Sequence, residues 1–159
     1  MAETLGSLVD KLSIKNLRLW HLDEILEQSN GSDAKRKELE AKRELVFKQS
    51  RDLMEEINGY FALALEGKVK IRDEKVKLYD NKNVRPTDAI KALGLAVSEL
   101  ALTNIRCWHL EDEVRRTDLA DADIVQIKRK IDATNQERND LMDKIDEILE
   151  NETQKQKKD

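Results

Sequence analysis

Residues 16–24 read NLRLWHLDE, and 88 positions further on residues 104–112 read NIRCWHLED. Between them the two stretches hold both tryptophans and both histidines of the 159-residue chain. The same offset aligns Leu5, Gly6, Val9 and Leu12 with Leu93, Gly94, Val97 and Leu100, Asp33-Ala34 with Asp121-Ala122, and "DLM" at 52–54 with "DLM" at 140–142. Residues 5–58 against 93–146 give 16 identities in 54 without a gap, where average residue usage gives roughly 3 by chance. An internal duplication constrains the fold more than any other feature. Whatever unit the first copy forms, the second forms too, and the two must bury matching faces on each other.

That unit is helical. Charged residues make up 39% of the chain and aromatics 4%, with one Pro and five Gly, the profile of long amphipathic helices and not of a sandwich or a nucleotide-binding α/β fold. Helix one is expected over about 3–28, ended by "QSNGSD" with its Asn30-Gly31 turn signal. Asp33 is the expected N-cap of helix two, which stops at Gly67, and Asp121 caps helix four. Pro86 ends whatever precedes helix three, with Thr87 or Asp88 as cap. In helix four, Ile124, Ile127, Ile131, Thr134, Arg138, Leu141, Ile145 and Ile148 alternate by three and four, an a/d seam. The counterpart in helix two is Arg36, Leu39, Arg43, Val46, Ser50, Leu53, Ile57 and Tyr60.

Two such hairpins, over 3–66 and 87–150, cover each other's seams when packed about a pseudo-twofold axis. The expectation is an all-α, single-domain four-helix bundle over 1–150, with a disordered tail at 151–159 that has no apolar anchor. In the crossover, 67–86, Val69 and Ile71, then Val76 and Leu78, alternate with charges around Asp73-Glu74. This suggests a short β-hairpin, or an extended arm lying over the bundle.

On the wheel of helix one, Asn16 and Asp23 fall within the apolar stripe of Leu5, Leu8, Leu12, Leu19 and Leu26, with Trp20 on its edge. Asn104, Trp108 and Glu111 repeat this in helix three. Such groups need answering, because an unpaired buried amide costs about 1–3 kcal/mol. Arg43 and Arg138 on the seams are the candidate counter-charges, while the repeated Lys42 and Lys130 lie beside them. One reading is an architectural polar layer that fixes helix register. The other is a pocket for a small ligand formed by Asn16, Trp20, Asp23, Asn104, Trp108 and Glu111 with Arg43 and Arg138. His21-x-x-Glu24 and His109-x-x-Asp112 have the i, i+3 spacing of metal ligands, so a divalent metal is the minor alternative to plain His–carboxylate pairing. Glu55 and Asp143 occupy matching places on the other helices, off the seam. No cofactor is predicted.

His21 shares a second stripe with Ile14, Leu17 and Ile25, matched by Leu102, Ile105 and His109. Either the crossover arm or another subunit covers that side, and a homodimer is expected.

The net charge of −4, well mixed in sign, gives no reason to expect nucleic acid. No apolar run is long enough for a membrane span. The opening "MAETLGSLVDKLS" does not read as a signal peptide. The single Cys107 fits a reducing cytoplasm and, aligned with Leu19, reads as core filling. There is no phosphate loop, Cys-x-x-Cys or nucleophile elbow. "MEEIN" and "MDKID" supply too few acids for an all-helical nucleotide pyrophosphohydrolase.

Asn16 with "WHLDE" and Asn104 with "WHLED" resemble the motif of a bacterial domain-of-unknown-function family carrying Trp-His-Leu-Glu-Asp, over most of the chain from Leu5 to Ile148. The resemblance implies an all-helical bacterial protein and no activity. The first copy departs from the motif in its Asp-Glu order, which puts the shorter acid on the seam in one half. The functional expectation is a non-enzymatic interaction or structural module acting as a homodimer; the alternative is a small-ligand or metal-binding bundle, with or without catalysis.

Overall fold

The computed structural model describes residues 3–73, 76–78 and 80–158. Among these residues four helices form: α1 (Leu5–Gln28), α2 (Asp33–Leu65), α3 (Leu93–Val114) and α4 (Asp121–Gln156). Local sequence sets their ends. Thr4 and Ser7 make a reciprocal capping box at the start of α1, with Thr4 N–H donating to Ser7 Oγ at 2.9 Å. Ser32, not Asp33, caps α2 by accepting from Lys35 N–H, and Asp33 moves into the first turn, where its charge suits the helix dipole. Gly67 ends α2 as expected: at φ +70 it takes the left-handed conformation, and the Lys68 N–H donates back to Leu63 O at 2.9 Å.

Helix three starts later than Pro86 suggests. Thr87 closes a separate turn by accepting from Ile90 N–H at 3.0 Å, Ile90 packs on the core, and α3 begins only at Leu93. Ala120 rather than Asp121 holds the cap position of α4, with Asp121 and Asp123 in its first turn. At the other end α4 continues through 151–156, and Thr153 is buried.

The core lies at one end of the bundle. Leu5, Ala64, Ala96, Leu100, Leu141, Met142, Ile145, Ile148 and Leu149 gather there. The N-terminal halves of α1 and α3 thus lie beside the C-terminal halves of α2 and α4, so α1 and α3 run parallel. Helix α1 packs on α2, α4 and α3, and α3 packs on α4; α2 packs chiefly along α1 and reaches the shared core through Ala64 near its C-terminal end. The α4 seam is correspondingly buried at Ile127, Ile131, Leu141, Ile145 and Ile148, whereas its α2 counterparts Leu53, Ile57 and Tyr60 are only partly so.

No strand forms among the described residues of the crossover, and Glu74, Lys75 and Tyr79 of the expected hairpin lie outside them. The chain instead crosses as an irregular arm tied to α4. Arg72 donates twice to Asp143, at 3.1 and 2.7 Å, and Lys77 meets Asp140 at 2.9 Å. Arg85 then bridges Glu137 and Glu99. Lys77, between Val76 and Leu78, finds its partner on α4, and both apolar side chains face solvent. The described residues of the arm therefore do not cover the second stripe, on which Ile25, Leu102, Ile105 and His109 stay exposed.

Candidate functional site

The expected face of amide, ring and acid divides into two places. The buried one is a polar layer near the middle of the molecule. Asn104 Nδ2 donates to Asp10 Oδ1 at 3.0 Å, and Arg138 Nε lies 3.3 Å from the same oxygen. The Arg138 contact is an ion pair without hydrogen-bond alignment; its Nη1 donates to Asn135 at 3.3 Å. Alongside, buried Glu137 accepts from Arg85 and Arg106, both at 2.8 Å, and from Thr103. A third buried acid, Asp146, accepts the Gly6 N–H at 2.7 Å where α1 crosses α4.

Sequence reasoning missed all three acids. The residue 88 positions after Asp10 is Ser98, so Asp10 fell outside the matched positions on which the search for inward-facing acids relied. Its one signal is its place about two turns before Asn16 and Leu17, on the α1 flank that meets α4.

The second place is a cleft of about 570 Å³ between α1 and α3. Five residues of α1 on its walls — Val9, Ser13, Leu17, Trp20 and His21 — face their partners 88 positions on: Val97, Ala101, Ile105, Trp108 and His109. Leu12 and Asn16 complete it. His21 stacks on Trp108 with centroids 4.3 Å apart and planes 13° from parallel, and Trp20 meets His21 edge-on at 4.8 Å. His21 Nδ1 also lies 3.3 Å from Glu24 Oε2, one turn on. Trp20 remains 55% exposed, and the Trp108 indole N–H is buried with no acceptor among the described residues.

The structure thus brings Asn16, Trp20 and Trp108 to one cleft and sends the other candidates elsewhere. Asn16 Oδ1 accepts from Ser50 Oγ at 3.2 Å. Asp23 pairs with Arg43 at the surface, through Arg43 Nε and, at 3.4 Å, Nη2. Glu111 is exposed, so neither Asp23 nor Glu111 faces the bundle axis. Asn104 and Arg138 belong to the buried layer.

His109 lines the cleft, while Asp112 turns toward Arg115 at 3.7 Å. Among the described residues no three His, Cys, Asp or Glu side chains come together as a metal site, and the His–carboxylate spacings stay within single helix turns. Asp143 is taken by Arg72. Cys107 is half-buried beside Asn135, and burial pushes its thiol pKa above the usual value against the pull of Arg138 and Arg106. Such a thiol is a poor nucleophile at neutral pH.

Chemically, the cleft offers apolar walls and aromatic faces, with Asn16 and His21 engaged and the Trp108 indole N–H the one buried polar group on its wall without an acceptor among the described residues. It suits shape-directed contact more than bond-making. No curated protein and no solved structure matches the chain. A family model covers residues 1–72 and 95–159, which are the two helical hairpins without most of the arm between them. On that match the chain belongs to the family described as "Protein of unknown function (DUF4254)".

Proposed function

We propose that the chain is a self-associating helical module, an interaction or structural protein whose working form is a homodimer. One observation carries this reading. The chain exposes 10937 Å², whereas a compact monomer of 18.4 kDa exposes about 8,200 Å². The excess, about 2,700 Å² by that scaling, is apolar in the places that matter. Leu95, Leu102 and Ile105 stand out on α3, Trp20 and Ile25 on α1, and Phe47, Met54 and Phe61 on α2. Large apolar side chains exposed together on three helices mark an interface.

The arm, the one intrachain element free to cover the α1 and α3 stripe, is fastened to α4 instead. A small-ligand reading of the cleft has weaker support, because Asn16 is engaged by Ser50 and His21 by Glu24 and Trp108.

The 88-residue repeat supports descent from one duplicated hairpin, since the cleft walls are formed by equivalent residues of both copies. We read the protein as cytoplasmic and bacterial, on its single cysteine and on the motif it shares with a bacterial family. Among the described residues no helix is long and apolar enough to cross a membrane.

Light scattering on the purified chain tests the proposal. The expected mass at tens of micromolar is twice the 18.4 kDa of one chain. A single-chain mass at every concentration overturns it.

A further inference from the structure

We infer that α2 of a second copy docks along the bare side of α3, and that the two copies exchange this contact reciprocally; the inference rests on the self-association reading above. The molecule carries its own template for the contact, in the way α4 lies on α1. Gly6 of α1 comes so close to α4 that a Cβ there would sit 2.1 Å from Met142 O. Beside it Asp146 accepts the Gly6 N–H. Leu5, Met142 and Leu149 are 6%, 8% and 5% exposed around that crossing.

Every one of these residues has a counterpart 88 positions away, and the counterparts are bare. Leu93 is 37% exposed where Leu5 is buried, Met54 is 44% exposed where Met142 is buried, and Phe61 is 42% exposed where Leu149 is buried. Gly94, the partner of Gly6, has nothing within 4 Å of a built Cβ. Asn58 stands where Asp146 does, and its amide oxygen can accept the same kind of backbone N–H. The stripe on α2 and its seat on α3 are thus both formed and both unfilled.

The chain's own α2 is held away from that seat. Ser50 donates to Asn16, Lys15 donates to Gln49 at 2.6 Å, Arg43 pairs with Asp23, and Ala64 is locked in the core. A second copy fills the seat without breaking any of these.

The dimensions agree. Phe47, Met54 and Phe61 recur every seven residues on one face and span about 21 Å at 1.5 Å per residue. The α3 surface from Leu93 to Ile105 spans about 18 Å by the same rise. A stripe and seat used once by each copy give a closed twofold dimer.

The test is a cross-link between different chains. In a Cys107→Ala background, Met54→Cys chains are mixed with Leu93→Cys chains and treated with a short bismaleimide. Circular dichroism confirms that each variant keeps its helices, as substitutions at exposed positions should. The expected product is a covalent dimer on denaturing electrophoresis. No covalent dimer from a mixture that still sediments at twice the chain mass overturns this docking mode and leaves self-association standing. No covalent dimer from chains that sediment singly overturns both. A chain carrying both cysteines that closes only on itself, as a cross-linked monomer, also overturns the inference, because it places the chain's own α2 in the seat.

Discussion

Gly6→Ala will unfold or badly loosen the protein, with an expected loss of about 3 kcal/mol or more. The reason is a single contact. The added methyl would meet Met142 O at 2.1 Å, with the Met142 carbonyl carbon and Cα at 2.7 and 2.9 Å. These are backbone atoms in the middle of a 36-residue helix, so no side chain can swing aside. Relief requires α1 and α4 to separate, which breaks the Gly6–Asp146 hydrogen bond and opens the core around Leu5, Met142 and Ile145.

Gly94→Ala is the matched control. It alters the glycine 88 positions after Gly6, where no atom lies within 4 Å of a built Cβ. There the usual helix preference for alanine over glycine, worth up to about 1 kcal/mol, should leave the single-chain fold intact. Urea denaturation of both variants, in protein dilute enough to keep the chains single and with midpoints compared at equal slope, checks the pair. Equal midpoints for the two would remove the close α1–α4 crossing from this account.

Asp10→Ala is the second large effect. Asp10 is buried, and two groups depend on it: the Asn104 amide at 3.0 Å and the Arg138 guanidinium at 3.3 Å. Removing the carboxylate strands a cation and an amide where water has little access. Breaking one side of a buried pair costs about 3–5 kcal/mol; the lower end is expected here, because the Arg138 side chain keeps 29% exposure. Asp23→Ala supplies the contrast, since Asp23 and Arg43 pair at 43% and 40% exposure and water replaces either partner. Thermal unfolding of the two variants should therefore separate clearly, with Asp10→Ala much the lower. A similar transition for both would show that the buried layer is not what holds α1 to α3 and α4.

These two predictions also mark how far the sequence could be read. The four helices and the α4 seam followed from spacing alone, because alternation by three and four has one structural solution. Gly67 ended α2 as a residue free to adopt positive φ should. The polar layer did not follow. A symmetric reading directs attention to residues present in both copies, so it weighted Asp23 and Glu111 and passed over Asp10, whose counterpart is Ser98. A wheel drawn for one helix also cannot say which neighbour a flank meets; Asn104 turned out to face α1 and not a seam arginine of its own hairpin by itself. The crossover misled for a related reason. Alternating charge and apolar residues reads as a strand, but Arg72, Lys77 and Arg85 were spaced to reach acids on α4. That choice depends on a surface which exists only once α4 has folded.

Chemical labelling of α2 puts the central claim, that its apolar stripe is covered in solution, to the most direct test. Met54 lies on the stripe and Leu45 on the opposite side of the same helix, and both are well exposed in the single chain. Cysteines placed at either position, in a Cys107→Ala background, can be timed against a maleimide across a dilution series. The account predicts that position 54 reacts at least about tenfold more slowly than position 45 in concentrated protein, equivalent to about 1.4 kcal/mol of protection, and that dilution abolishes the difference. Equal, rapid labelling at both positions at every concentration would contradict it.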